Sequence, residues 1–108
     1  MDAPVASVDV DIDAIGRNGE TFVVSLRIGV PYRKDEDVWS CPVSLTPLYS
    51  GLRDQSGADA FQALCLASRL AVTLLTHFRD DGGQLVNRDG TPFALDAYLG
   101  TTDRSKDA

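Results

Sequence analysis

The stretch "VDVDIDAIGRNGETFVVSLRIGV" (residues 8–30) decides the architecture of this chain. Val8, Val10 and Ile12 alternate with Asp9, Asp11 and Asp13, and a period of two marks a half-buried strand, expected over residues 5–15. Phe22, Val24, Leu26, Ile28 and Val30 share one face of a second strand over 22–30, and "GRNG" between the two is a turn signal. The turn fixes the register. A two-residue turn at Asn18-Gly19 sets Asp11 opposite Leu26 and mixes carboxylates with the core, because a slip of one residue flips every side chain. A three-residue loop, Arg17-Asn18-Gly19, instead sets Ile12 against Val24, Val10 against Leu26 and Val8 against Ile28. That loop is a type I turn closed by a left-handed residue, the position Gly19 occupies. The same register puts Asp9 beside Arg27 on the outer face.

This stretch also approaches the spacing of a calcium-binding loop, with Asp9, Asp11, Asp13 and Glu20 at the first, third, fifth and twelfth positions. The sixth position demands glycine for the sharp turn, and Ala14 stands there. Val10 and Ile12 favour extended backbone, and Pro4 interrupts any entering helix. The carboxylates therefore read as the solvated face of a strand, and no metal is expected.

Working outward, "YRKDED" (32–37) reads as a polar connection and "VWSCPVSLT" (38–46) as a third strand, with Trp39, Cys41, Val43 and Leu45 inward. Pro42 lacks an N–H, so this strand is expected at an edge or with its proline nitrogen turned outward. Residues 47–57 are rich in turn formers and read as a loop. A long helix follows, with Asp59 as N-cap and Gln62 completing a capping box. Its apolar stripe runs through Phe61, Leu64, Ala67, Ala71, Leu74, Leu75 and Phe78, widened by Cys65, Leu70 and Val72, and Gly82 ends it. "GQLVNRDG" (83–90) suggests a short fourth strand, its place in the sheet left open, and "PFALDAYL" (92–99) one or two helical turns. The fold class is α+β: a two-layer domain over residues 1–100, with a three-stranded antiparallel meander packed on one long helix in the order β-β-β-α-β. Residues 101–108 carry no large apolar side chain and read as a flexible C-terminal tail.

Composition bounds the function. The chain has 108 residues and a formal net charge of −6, with basic residues scattered singly apart from Arg33-Lys34. Nucleic acid requires clustered Lys and Arg against phosphate, so it is an unexpected partner, whereas a basic protein suits the charge. The N-terminus lacks a basic segment leading into an apolar core, so no signal peptide is expected. Gln62, Ser68, Arg69, Thr73, Thr76 and His77 interrupt residues 60–78, which argues against a membrane span. Cys41 and Cys65 read as reduced, buried thiols, consistent with a cytoplasmic protein.

Four segments carry a resemblance: "LRIGVP" (26–31), "WSCPV" (39–43), "SGADAFQALCLA" (56–67) and "GGQLV" (82–86). In that order they resemble a family of small uncharacterised bacterial proteins, which share an Arg-Ile-Gly-x-Pro strand end, a Trp-x-Cys-Pro segment and a Gly-x-Asp-x-x-Gln-Ala-Leu helix start. The resemblance spans roughly residues 25–87 and implies no activity. More loosely, the element order is similar to that of HicB-type antitoxins, a likeness at the level of fold alone.

His77, the sole histidine, falls in the last helical turn, where the helix dipole favours a partial positive charge; no nucleophile stands near it in any recognisable motif. Cys65 sits between Leu64 and Leu66, surroundings that leave a thiol inert. Gly82, Gly83 and Gly90 read as turn formers, and no cofactor is expected. The candidate partner-binding residues are Asp9, Asp11 and Asp13 on the sheet face and Tyr32, Arg33, Lys34, Asp35, Glu36 and Asp37 at a loop tip. Two classes of function remain in view: a non-enzymatic acidic protein-binding module of inhibitor, immunity or antitoxin type, and a small ligand-binding or enzymatic domain with a pocket between helix and sheet, near His77 or Cys65. The expected state is a monomer or a weak homodimer through the third strand's edge.

Overall fold

A computed structural model describes residues 8–98. Strands β1 (Val8–Ile15) and β2 (Thr21–Ile28) form the hairpin in the derived register: Val8 pairs with Ile28, Asp9 with Arg27, Val10 with Leu26 and Ile12 with Val24. Gly19 closes the loop at φ 91°, and its N–H donates to the Gly16 carbonyl at 2.9 Å. Gly16 in turn donates to the Glu20 carbonyl at 2.7 Å, which makes Arg17-Asn18-Gly19 the three-residue loop. Residues 5–7 and 101–108 lie outside the described residues.

The meander departs from expectation at its third strand. Residues 38–46 form two strands, β4 (Val38–Cys41) and β5 (Val43–Thr46), which belong to different sheets and meet at Pro42. One sheet has the order β5-β2-β1-β7 and the other β3-β4-β6. Gly29 donates to the Pro42 carbonyl at 2.9 Å, so the β2–β5 ladder continues up to the proline. Pro42 therefore directs its nitrogen at β2 rather than outward, and it has no N–H to return. The Cys41 thiol, 3.3 Å away, donates to the Gly29 carbonyl there. A Cβ on Gly29 would sit 2.9 Å from the Pro42 ring, so the two chains come this close only because residue 29 is glycine. Past this point both chains leave the first sheet together and continue as the second.

Two further expectations change for the same reason. The polar connection 32–37 is strand β3 (Tyr32–Asp35) plus a tight turn, because it is the return arm of the hairpin whose other arm is β4. All four β3 residues are exposed, so no apolar alternation marks them. The loop 47–57 ends in a third partner, β6 (Gln55–Gly57), paired to β4. The fourth strand is β7 (Gln84–Val86), which joins the first sheet beside β1 and pairs with Asp13–Ile15. Residues 92–98 supply one short 3-10 turn, Leu95–Ala97.

Helix α1 (Ala60–Asp80) spans both sheets. Asp59 caps it by accepting from the Gln62 N–H at 2.7 Å, and the Gln62 side chain accepts from Ala58 N–H at 2.6 Å. Gly82 (φ 105°) and Gly83 return N–H groups to Arg79 and Phe78 in a Schellman ending. Ala63, Ala67 and Ala71 are buried against Ile28, Cys41 and Val43, where small side chains let the helix lie close. Leu75 packs lower down among Ile12, Ala14, Val24, Leu45, Leu85 and Leu95. The helix is long and apolar enough in composition to cross a membrane, and here one stripe of it packs on the sheets. Phe61 does not join that stripe; it is 74% exposed. The helix start is held instead by Gly57, where a Cβ would lie 2.8 Å from the Ala63 backbone nitrogen.

Two glycine substitutions separate backbone strain from lost space. Gly19→Ala meets no atom within 4 Å, so its cost is the left-handed conformation alone, about 1 kcal/mol. Gly57→Ala collides with helix backbone and should cost about 2–3 kcal/mol. Denaturant unfolding of both variants checks the order; a Gly57→Ala protein as stable as the parent contradicts the packing described.

Candidate functional site

The nine candidate residues fall into two groups on different sheets. Asp9, Asp11 and Asp13 are exposed on the outer face of β1, spread by the extended backbone at intervals of about 7 Å. That spacing is unlike the turn of a calcium loop, in which successive ligands curl around one ion. Asp9 forms an ion pair with Arg27 at 3.3 Å, and Asp11 accepts from the Ser25 hydroxyl at 2.9 Å. Asp13 stands across from Val23, which is itself exposed. An exposed pair such as Asp9–Arg27 contributes about 0.2–1 kcal/mol and weakens with salt, so the stripe is chiefly a source of charge rather than of stability.

The second group lines the β3–β4 hairpin. A bulge at Lys34 separates Arg33, paired with Trp39, from Asp35, paired with Val38. Glu36 and Asp37 form the tip. Arg33 donates to the Glu36 carbonyl at 2.7 Å, and Asp35 accepts from the Glu36 N–H at 2.8 Å, so the turn is built by its own charged residues. Tyr32 donates to the Asp54 carboxylate at 2.6 Å. That hydrogen bond holds its hydroxyl above the ordinary phenol range, and slight desolvation and the Asp54 charge push the same way. Sequence patterning does not point to Asp54, which lies twenty-two residues away among turn formers.

Cys41 is fully buried, and burial, followed by the Asp54 charge, pushes its thiol up. Cys65 is half-buried rather than buried, and His77 is exposed in the last turn. A cavity of about 240 Å³ does lie between helix and sheet, but Val10, Leu26, Val72, Leu75, Phe93 and Tyr98 are among its walls, and neither His77 nor Cys65 is. It is apolar; the Ser68 hydroxyl in its wall is turned to the Leu64 carbonyl at 2.9 Å. Phe93 and Tyr98 stack at its mouth with centroids 5.3 Å apart. Val10 belongs to the inward face by period, yet it is 38% exposed because this cavity, not the helix, lies over it.

A family model described as a domain of unknown function, DUF6968, matches residues 13–94, and the chain belongs to that family. No curated protein and no solved structure matches it.

The Tyr32–Asp54 contact has a titration signature. A raised phenol pKa means that the folded state holds this proton more tightly than the unfolded chain. The associated stability is present below the ordinary tyrosine value and lost as pH rises through the raised one. In Asp54→Asn, Tyr32 should titrate back towards ordinary phenol, as read by ultraviolet difference absorbance against the parent protein. An unmoved Tyr32 contradicts the assignment.

Proposed function

We propose that this member of the DUF6968 family is a non-enzymatic acidic protein-binding module of cytoplasmic type, in the manner of an inhibitor, immunity protein or antitoxin. The observation that carries the reading is the stripe Asp9, Asp11 and Asp13 on one rigid sheet face. Carboxylates held at fixed spacing on a hydrogen-bonded strand need no backbone ordering on binding, and they steer a cationic partner electrostatically. The β3–β4 hairpin, with Asp35, Glu36 and Asp37 at its end, supplies a second acidic projection. A net charge of −6 adds a long-range field of the same sign.

The alternative, a small ligand-binding or enzymatic domain, draws on the apolar cavity between helix and sheet. Its walls suit an apolar group, but acid–base or nucleophilic chemistry needs polar side chains converging on one point. The cavity favours recognition over catalysis.

Two variants of equal charge change test the reading against poly-lysine as a cationic probe. Neutralising the stripe with Asn at positions 9, 11 and 13 should weaken binding about tenfold and flatten its salt dependence. Neutralising Asp35, Glu36 and Asp37 in the same way should weaken it less. Equal losses would show that only net charge matters, and a salt-independent affinity would remove the electrostatic reading altogether.

A further inference from the structure

Strand β1 has eight residues, and β7 covers only three of them, Asp13–Ile15. In an antiparallel ladder, alternate residues direct their N–H and C=O to opposite sides. The Gly16–Glu20 bond shows that even-numbered residues of β1 bond to β2. Odd-numbered residues therefore face the other way. Asp13 and Ile15 meet β7, while the backbone groups of Asp9 and Asp11 face a side on which no strand lies among the described residues. β7 does not continue alongside them because the chain turns away at Asn87–Gly90, with Gly90 donating to the Asn87 carbonyl at 2.9 Å. Beyond that turn the edge opens on a notch of about 420 Å³, bounded by Val10, Asp11, Asp13, Val86, Arg88 and Phe93. The apolar cavity adjoins it, sharing Val10, Ile12 and Phe93.

We infer that the free edge of β1 at Asp9–Asp11 receives an extended, basic segment of a partner protein as an added strand, with basic side chains over the Asp stripe and apolar ones in the cavity under Val10. This rests on the protein-binding reading and deepens it by naming the mode. Three separate features agree on such an occupant. The backbone edge supplies two residues' worth of paired donors and acceptors. The side chains of an added strand alternate between faces with the same period as β1, so one set meets Asp9 and Asp11 and the other meets Val10, Phe93 and Tyr98. Charge decides between partners: a second copy of β1 would set its own Asp stripe against this one, and like charges directly opposite are destabilising. Arg27 and Arg88 offset part of the local charge, yet three carboxylates against two guanidinium groups leave the face acidic. In the second sheet, the edge at β3 is guarded by its bulge at Lys34 and by Pro31 before it.

The test uses the full chain and a blocked hexapeptide alternating lysine and valine, followed by amide chemical shifts. The expected result is perturbation centred on Asp9, Asp11, Val10 and Phe93. An added strand bonds through every second residue, so N-methylating one alternate set of peptide amides should cost about tenfold or more, and methylating the other set little. Equal affinity for both methylated peptides, or shifts centred on Tyr32–Asp37, overturns the inference while leaving the acidic-module reading intact. A threonine-valine peptide that binds as tightly as the lysine-valine one, with the methylation pattern preserved, supports the edge and sinks the acidic reading. Sedimentation that finds dimers dissociated by the peptide assigns the edge to a second copy, and tighter peptide binding after removal of residues 99–108 assigns it to this chain's own tail. Either of these also overturns the inference.

Discussion

The register of the β1–β2 hairpin is the constraint on which the rest depends. Because side chains alternate with a period of two, setting Gly19 in the loop determines at once which residues meet the helix and which meet water. Ile12, Ala14, Val24 and Ile28 go to the core, and Asp9, Asp11, Asp13 and Arg27 go outward. The same choice determines which backbone groups turn towards β2 and which towards the opposite edge. Side-chain face and hydrogen-bond direction are thus two consequences of one turn.

This is why the hairpin could be read from sequence and the second sheet could not. The hairpin's signals are local: alternation on both sides of a glycine-bearing turn. The division of residues 38–46 is a tertiary event. Pro42 marks it, but a proline in a strand pattern suggests an edge before it suggests a passage from one sheet to another. The cause lies in its contact with Gly29, thirteen positions earlier, and in the substitution of a Cys41 thiol donor for the missing N–H. Once the chains turn there, the polar arm 32–35 is paired by geometry alone, whatever its hydropathy. Phe61 fails for a related reason. Helical period assigned it to the stripe, but the close approach at Gly57 brings Ala63 to the strand and leaves the first turn projecting beyond it.

The candidate site divides in the same way. The carboxylate stripe and its partner Arg27 were legible because they follow from the register. The Tyr32–Asp54 bond, the cavity beneath Val10 and the short reach of β7 were not, since each depends on where distant segments end. An apolar residue at an inward position normally implies a covered one. Val10 breaks that rule because β7 stops at Val86 and the 3-10 turn leaves a gap beside Phe93.

Residue-by-residue amide hydrogen exchange across β1 tests the central claim directly. Bonds to β2 should protect Val10, Ile12 and Ala14, and bonds to β7 should protect Asp13 and Ile15. Asp9 and Asp11, in the same strand, should exchange far faster than their even-numbered neighbours. Protection at Asp9 and Asp11 equal to that at Val10 and Ile12 would mean that the edge is already occupied, and would contradict the account.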